Sequence, residues 1–162
     1  MAIIASNSNF SKGLKLENRD LFSVFCYNKI NKFIFKFIKI MISKGLKRLL
    51  ESNAIGFATI GKNGKPHNIA VAYVKVIDNK IIISNSHIKE SIKNLRFNNN
   101  VSLVVWNKEW KNACVGFELQ GKAKNYTTGK WFDFVSKLPD NEGCKIVSAI
   151  VVKTTKIKRL LS

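Results

Sequence analysis

The chain has 162 residues, of which 46% are hydrophobic and 23% charged, enough for one globular domain with a real core and too few for a second of similar size. No run is long and apolar enough to span a bilayer. Three scattered cysteines (Cys26, Cys114, Cys144) and two isolated histidines (His67, His87) argue against a disulfide framework and against a metal cluster. No metal is therefore expected, and a reducing cytoplasm is the default compartment.

The net charge is +18. Residues 1–40 contribute +5 of it, from seven basic residues against Glu17 and Asp20, and the other +13 is spread over 41–162. Such a balance hints at an anionic partner. Ile, Lys and Asn are common throughout, however, and the lysines do not cluster with aromatic residues in the sequence as they do in single-strand binders. Nucleic acid is accordingly not the expected partner.

Residues 1–40 read as an N-terminal extension ahead of a domain over 41–162. Residues 1–26 show no sustained period and read as poorly ordered. Over 27–41, Lys29, Lys32, Lys36 and Lys39 recur on one helical face and Ile30, Phe33, Ile34, Phe37, Ile38 and Met41 on another. A basic amphipathic helix of this kind can lie on an anionic membrane surface or pack as an ordinary helix. Alternatively, the whole extension is upstream sequence ahead of an initiator at Met41. It is not a signal peptide, because lysines interrupt its apolar positions.

Beyond Met41 the elements sharpen. Leu46, Leu49 and Leu50 predict a helix over about 43–52. A strand follows at Gly56–Ile60, then Gly61–Pro66 with its Asn-Gly hairpin signal. A long strand is expected over His67–Val76, a tight turn at Asp78-Asn79 and a third strand over Lys80–Ser84, the three forming a meander. Ile88, Ser91, Ile92 and Leu95 fall at helical spacing, with Ser86 as N-cap and Asn98-Asn99-Asn100 as the stop. Val101–Trp106 reads as a strand and Asn107–Asn112 as a loop. Val115–Lys122 alternates as a strand, a helix over 130–138 ends at Pro139, and Ile146–Lys153 is the last strand. Six strands with short connections predict a mainly β, α+β domain whose antiparallel sheet closes into a small barrel.

Four segments carry a family resemblance over about Leu46–Ile157. They are Ala58-Thr59-Ile60 with Gly64-Lys65-Pro66-His67-Asn68, then Tyr73–Asp78, then Ser84–Asn94 running into Asn98–Val105, and last Phe117–Ala123 with its central Gly121. In this order they resemble the FMN-binding split-barrel family, which includes pyridoxamine-phosphate oxidases and small FMN-binding proteins. The resemblance implies a six-stranded split barrel, an FMN cofactor and a homodimer with the site at the interface.

Ser84, Asn85, Ser86, Lys89 and Ser91 gather hydroxyls, an amide and a cation at a strand-to-helix junction, where backbone N–H groups favour an anion. The resemblance places the FMN phosphate there. Ser91 stands at the family's hydroxyl position; the neighbouring cation position holds Glu90, with Lys89 one residue earlier. The ring would be clamped by the backbone of Asn68, Ala70, Val71 and Ala72, with the Asn68 side chain also available. His67, beside a turn, reads as a surface residue. Trp106, Trp110 and Trp131 are the aromatic candidates for packing near the flavin: Trp106 is left open between that role and the end of a core strand, Trp131 is read as a helix anchor, and Trp110, in a loop, is the better candidate for a lid or an interface. No side chain reads as a catalytic acid, base or nucleophile.

The resemblance implies an FMN-dependent oxidoreductase or electron-transfer protein acting on a small-molecule redox substrate or partner. Pyridoxamine-phosphate oxidation itself is not expected, because only Arg159 stands where those enzymes carry an arginine-rich phosphate site. Two alternatives remain open: a deazaflavin-dependent reductase of the same fold, and a non-enzymatic basic barrel that binds nucleic acid through charge.

Overall fold

The computed structural model describes residues 40–109 and 114–160. Trp110 and the helix expected over 27–41, apart from its last two positions, lie outside these. Helix α1 (Lys44–Ser52) starts where the sequence places it. Ser43 is extended, and its Oγ accepts the Leu46 N–H at 3.2 Å, satisfying one of the free amides of the first turn. Leu46 and Leu50 are its buried face. Two amide-to-side-chain bonds dock it: Glu51 Oε1 accepts the Val76 N–H at 2.7 Å, and Asn79 Oδ1 accepts the Ile42 N–H at 2.9 Å.

Seven strands follow: β1 (Ile55–Ile60), β2 (Pro66–Val71), β3 (Val74–Ile77), β4 (Lys80–Asn85), β5 (Asn100–Trp106), β6 (Gly116–Tyr126) and β7 (Ser148–Leu160). All their pairings are antiparallel, and they lie in the order β2-β1-β5-β6-β7-β4-β3. Helix α2 (Glu90–Leu95) lies between β4 and β5, and α3 (Lys130–Ser136) between β6 and β7. The fold is the mainly β split barrel expected, with one strand more.

The extra strand comes from the segment expected as one strand, His67–Val76. Val71 and Val74 are both buried, while Ala72 and Tyr73 between them are exposed. The two-residue alternation slips by one at that point, and the chain changes partner. β2 pairs with β1 and β3 with β4, so the expected meander does not form. β2 and β3 are the two edges of the sheet, yet Val71 and Val74 are three Cα steps apart, at most about 11 Å. The edges must therefore meet, and the sheet must curl into a barrel.

The turns obey local chemistry. Asp78 (φ 49°) and Asn79 (φ 59°) are both left-handed, the two-residue hairpin whose twist matches its strands. The Asn63-Gly64 signal is realised differently. Gly64 takes φ 76° and its N–H returns to Gly61 C=O at 2.9 Å, while Asn63 Oδ1 accepts the Lys65 N–H. α2 begins at Glu90 rather than near Ile88, and Ser86 is not its cap. Asn85 Oδ1 takes the Ile88 N–H at 2.7 Å, and Ser86 Oγ meets His87 Nδ1 instead. Pro139 opens a 3-10 turn, Pro139–Asn141, after α3 has ended at Ser136.

Inside the barrel Phe57, Ile81, Ile83, Leu103, Leu119 and Ile150 are fully buried. A second, smaller core lies outside it, where α3 lays Val135, with Trp131 and Phe134, on Ile82, Ala149 and Val151. Trp131 anchors its helix as expected. At the β6–β7 bulge a Cβ on Gly121 would sit 2.5 Å from the Lys153 carbonyl oxygen, so backbone approach, not dihedral freedom, requires glycine there. Gly121→Ala should destabilise the domain by about 1–3 kcal/mol. Gly45→Ala, on open helix surface, should be neutral or stabilise by up to about 1 kcal/mol. Urea unfolding of the two variants checks both.

Candidate functional site

The seam of the barrel begins with β2. Its alternation turns His67, Ile69 and Val71 toward the core side and leaves Asn68 and Ala70 exposed. Ala72, just past the strand, is exposed as well. Val71 packs in the barrel core, so only its main chain can serve a ligand. The Asn68 amide lies over Gly56, where a Cβ would meet it at 3.7–3.8 Å. β2 has a ladder partner on one side only, so half of its backbone donors and acceptors face the seam unpaired.

The β4–α2 junction comes to the same seam. The Ser84 N–H donates to Tyr73 C=O at 3.0 Å, carrying the ladder one residue past β3. The chain then leaves the ladder and enters α2, which packs against β1, β2 and β6. Asn94 Nδ2 donates to Thr59 Oγ1 at 3.1 Å, and Thr59 Oγ1 reaches His67 C=O at 3.5 Å. α2 is thus tied to both strands of the first hairpin.

The expected phosphate residues fall into two groups. Ser84 and Asn85 are buried, on opposite faces of β4. Ser84 Oγ accepts from Asn141 Nδ2 at 2.9 Å, and Asn85 Nδ2 donates to Ser148 Oγ at 2.7 Å. Their side chains build the junction. Ser86 is half-buried and Lys89 exposed, and no carboxylate pairs with Lys89 among the described residues. Ser91 is fully buried and its Oγ has no hydrogen-bond partner, a situation that costs stability unless something arrives to satisfy it. α2 has only six residues and carries Glu90 in its first turn, so Lys89, not the helix dipole, is the stronger lure for an anion.

A second concavity escaped the sequence reading. On the outer sheet face the register aligns Asn68, Ala58, Ser102, Gln120 and Lys156 in one row and Ala70, Gly56, Val104, Glu118 and Lys158 in the next. Small side chains leave a groove of about 470 Å³ beside them, lined by Ile60, Pro66, Asn100, Ser102, Gln120 and Thr155. The available signal was the run of small residues at alternate positions, Gly56, Ala58 and Ala70. Trp106, at the end of β5, points outward and is 51% exposed.

Glu118 accepts from Gln120 Nε2 at 2.9 Å and Ser102 Oγ at 3.2 Å. The Gln120 bond holds its carboxyl below the ordinary range; desolvation opposes this, while Ser102, Lys158 and Lys156 add to the lowering. A carboxyl lowered on folding stabilises the protein above its unfolded pKa, near ~4.3, and that stability is lost as pH falls through the folded value. Wild type should therefore be more stable than Glu118→Gln at neutral pH, with the gap closing only at acid pH. Urea unfolding between neutral and acid pH reads this.

Among the described residues no three His, Cys, Asp or Glu side chains converge as a metal site, and no helix is long and apolar enough to cross a membrane. The family profile of pyridoxamine 5'-phosphate oxidase aligns with residues 42–156. An uncharacterized protein of Methanocaldococcus jannaschii is 24% identical over 131 residues, covering 76% of this chain and 83% of its own. An FMN-binding protein from Syntrophomonas wolfei subsp. wolfei superposes with a TM-score of 0.66 at 16% identity, over 85% of this chain and 98% of that one. An F420 reductase gives 0.56 at 18% identity, over 72% and 98%. At such identities the structural likeness speaks for the fold, whereas the profile spans most of the chain: the chain belongs to the pyridoxamine 5'-phosphate oxidase family.

Proposed function

We propose that the domain binds FMN at the barrel seam and works as a homodimeric flavin oxidoreductase or electron-transfer protein. The observation that carries this is the unpaired edge of β2 beside a junction with an unpartnered cation, Lys89, and an unpartnered hydroxyl, Ser91. The residues fit the cofactor through these groups: backbone of Asn68, Ala70, Val71 and Ala72 for the ring, and Ser86, Lys89 and Ser91 for the phosphate. The side chains of Ser84 and Asn85 and the Ser84 N–H are taken within the fold, so these two residues would shape the phosphate site from behind. Ser91 lies beneath the surface, so contact with it requires the first turn of α2 to yield.

Bound FMN would supply the hydride or electron transfer, and the protein binding, orientation and local electrostatics. The small-residue outer face around Ala58 and Ser102 is the surface on which a second copy would seat, with Trp106 and Trp110 as aromatic contributors. Pyridoxamine-phosphate oxidation is not favoured, because Arg159 is the sole arginine of β7. A second reading, a deazaflavin cofactor, draws support from the shared fold of an F420 reductase and from the basic surface, which suits a longer anionic tail.

Purified full-length protein, desalted, should show flavin absorbance, with released FMN identified by mass. Deazaflavin in its place would favour the second reading, and failure to take up either cofactor would sink both. Lys89→Ala should weaken FMN binding about tenfold, the scale of one charge-assisted hydrogen bond. Ser91→Ala should weaken it without lowering apoprotein stability; unchanged affinity would make Ser91 a structural residue only. Ala58→Arg should give monomers by light scattering and release flavin, if the partner completes the site.

A further inference from the structure

Lysines far apart in the sequence meet on the outer sheet face. The register sets Lys122 of β6 opposite Lys153 of β7, and Lys153 opposite Lys80 of β4. Adjacent strands are about 4.8 Å apart, so the three ammonium stems emerge within about 10 Å. Like charges directly opposite repel. No carboxylate relieves them, since the ion pairs among the described residues use Lys47, Lys75 and Lys93.

Aromatic rings border the row. Lys80 Nζ lies 5.4 Å and Lys130 Nζ 4.9 Å from the Trp131 ring centroid, and Lys124 Nζ lies 5.3 Å from that of Tyr126. Lys124 follows Lys122 on the same face of β6.

We propose that this face binds single-stranded nucleic acid, its phosphates along Lys122, Lys153 and Lys80 and its bases against the Trp131 and Tyr126 rings that border the row. A line of unpaired cations suits a line of phosphates. The aromatic rings suit unstacked bases. A duplex would engage the lysines alone. A membrane fits less well, because the row Asn100–Lys122–Lys153–Lys80 presents no large apolar side chain to insert.

The competing explanation is unspecific attraction by a chain with 28 lysines and arginines. The test therefore compares two triple variants of equal charge in the full-length chain, using fluorescence anisotropy with a labelled mixed-sequence single-stranded oligonucleotide across salt concentrations. K80Q/K122Q/K153Q should weaken binding about tenfold or more at low salt and flatten the slope of log K against log salt by about 2, three contacts at ~0.7 each. Tyr126→Leu alone should weaken binding with little change of slope. K65Q/K108Q/K145Q, exposed lysines elsewhere, should leave affinity and slope near wild type. Equal loss in both triples, duplex binding as tight as single-strand binding, or binding to phosphatidylserine vesicles but not to the oligonucleotide would each overturn the proposal.

Discussion

Between Val71 and Val74 the backbone gives up one antiparallel partner and takes another, with two exposed residues in between. Everything else in the barrel follows from that short exchange. Because the two edge strands are consecutive in the chain, the seven-stranded sheet has to curl until its edges meet. Because they meet end to end and not side by side, β2 keeps an open edge along its length. The seam between that edge and the β4–α2 junction is where the barrel interior, the unpaired main chain and a free cation come closest.

Three asparagines hold the seam in shape. Asn85 joins Ser148 to the entry of α2, Asn94 joins α2 to Thr59, and Asn141 joins the 3-10 turn to Ser84 and to the Val135 carbonyl. All three are buried. Asn85 stands where β4 ends, and a buried amide with its partners in place tolerates few alternative geometries. Oδ1 of Asn141, unlike its amide nitrogen, lacks a partner, so the network is tightest at Asn85 and Asn94.

Local chemistry was legible in the sequence and lateral partnership was not. The Asp78-Asn79 turn and the Leu46, Leu49 and Leu50 face of α1 are each fixed by neighbours in the chain. Alternation over 67–76 reports only that the segment is extended; the slip from Val71 to Val74 is a single residue and names no partner. The polar run Ser84–Ser91 was read as ligand-facing throughout, although polarity alone does not distinguish a side chain that greets a ligand from one that braces a loop, as Ser84 and Asn85 do. The Lys122–Lys153–Lys80 row lay hidden because its members come from three strands and become neighbours only through the register.

β7 lies between β6 and β4 and is the longest strand of the sheet. Asn85 and its partner Ser148 are 63 residues apart in the chain. Hairpins β1–β2 and β3–β4 can form as they emerge during synthesis, but nothing can join β4 to β6 until the last strand has been made. Closure is thus a late, long-range event of the kind that slows folding. On the ribosome the domain must wait for its final strand, and until then two unfinished sheet edges stay open to the wrong partners.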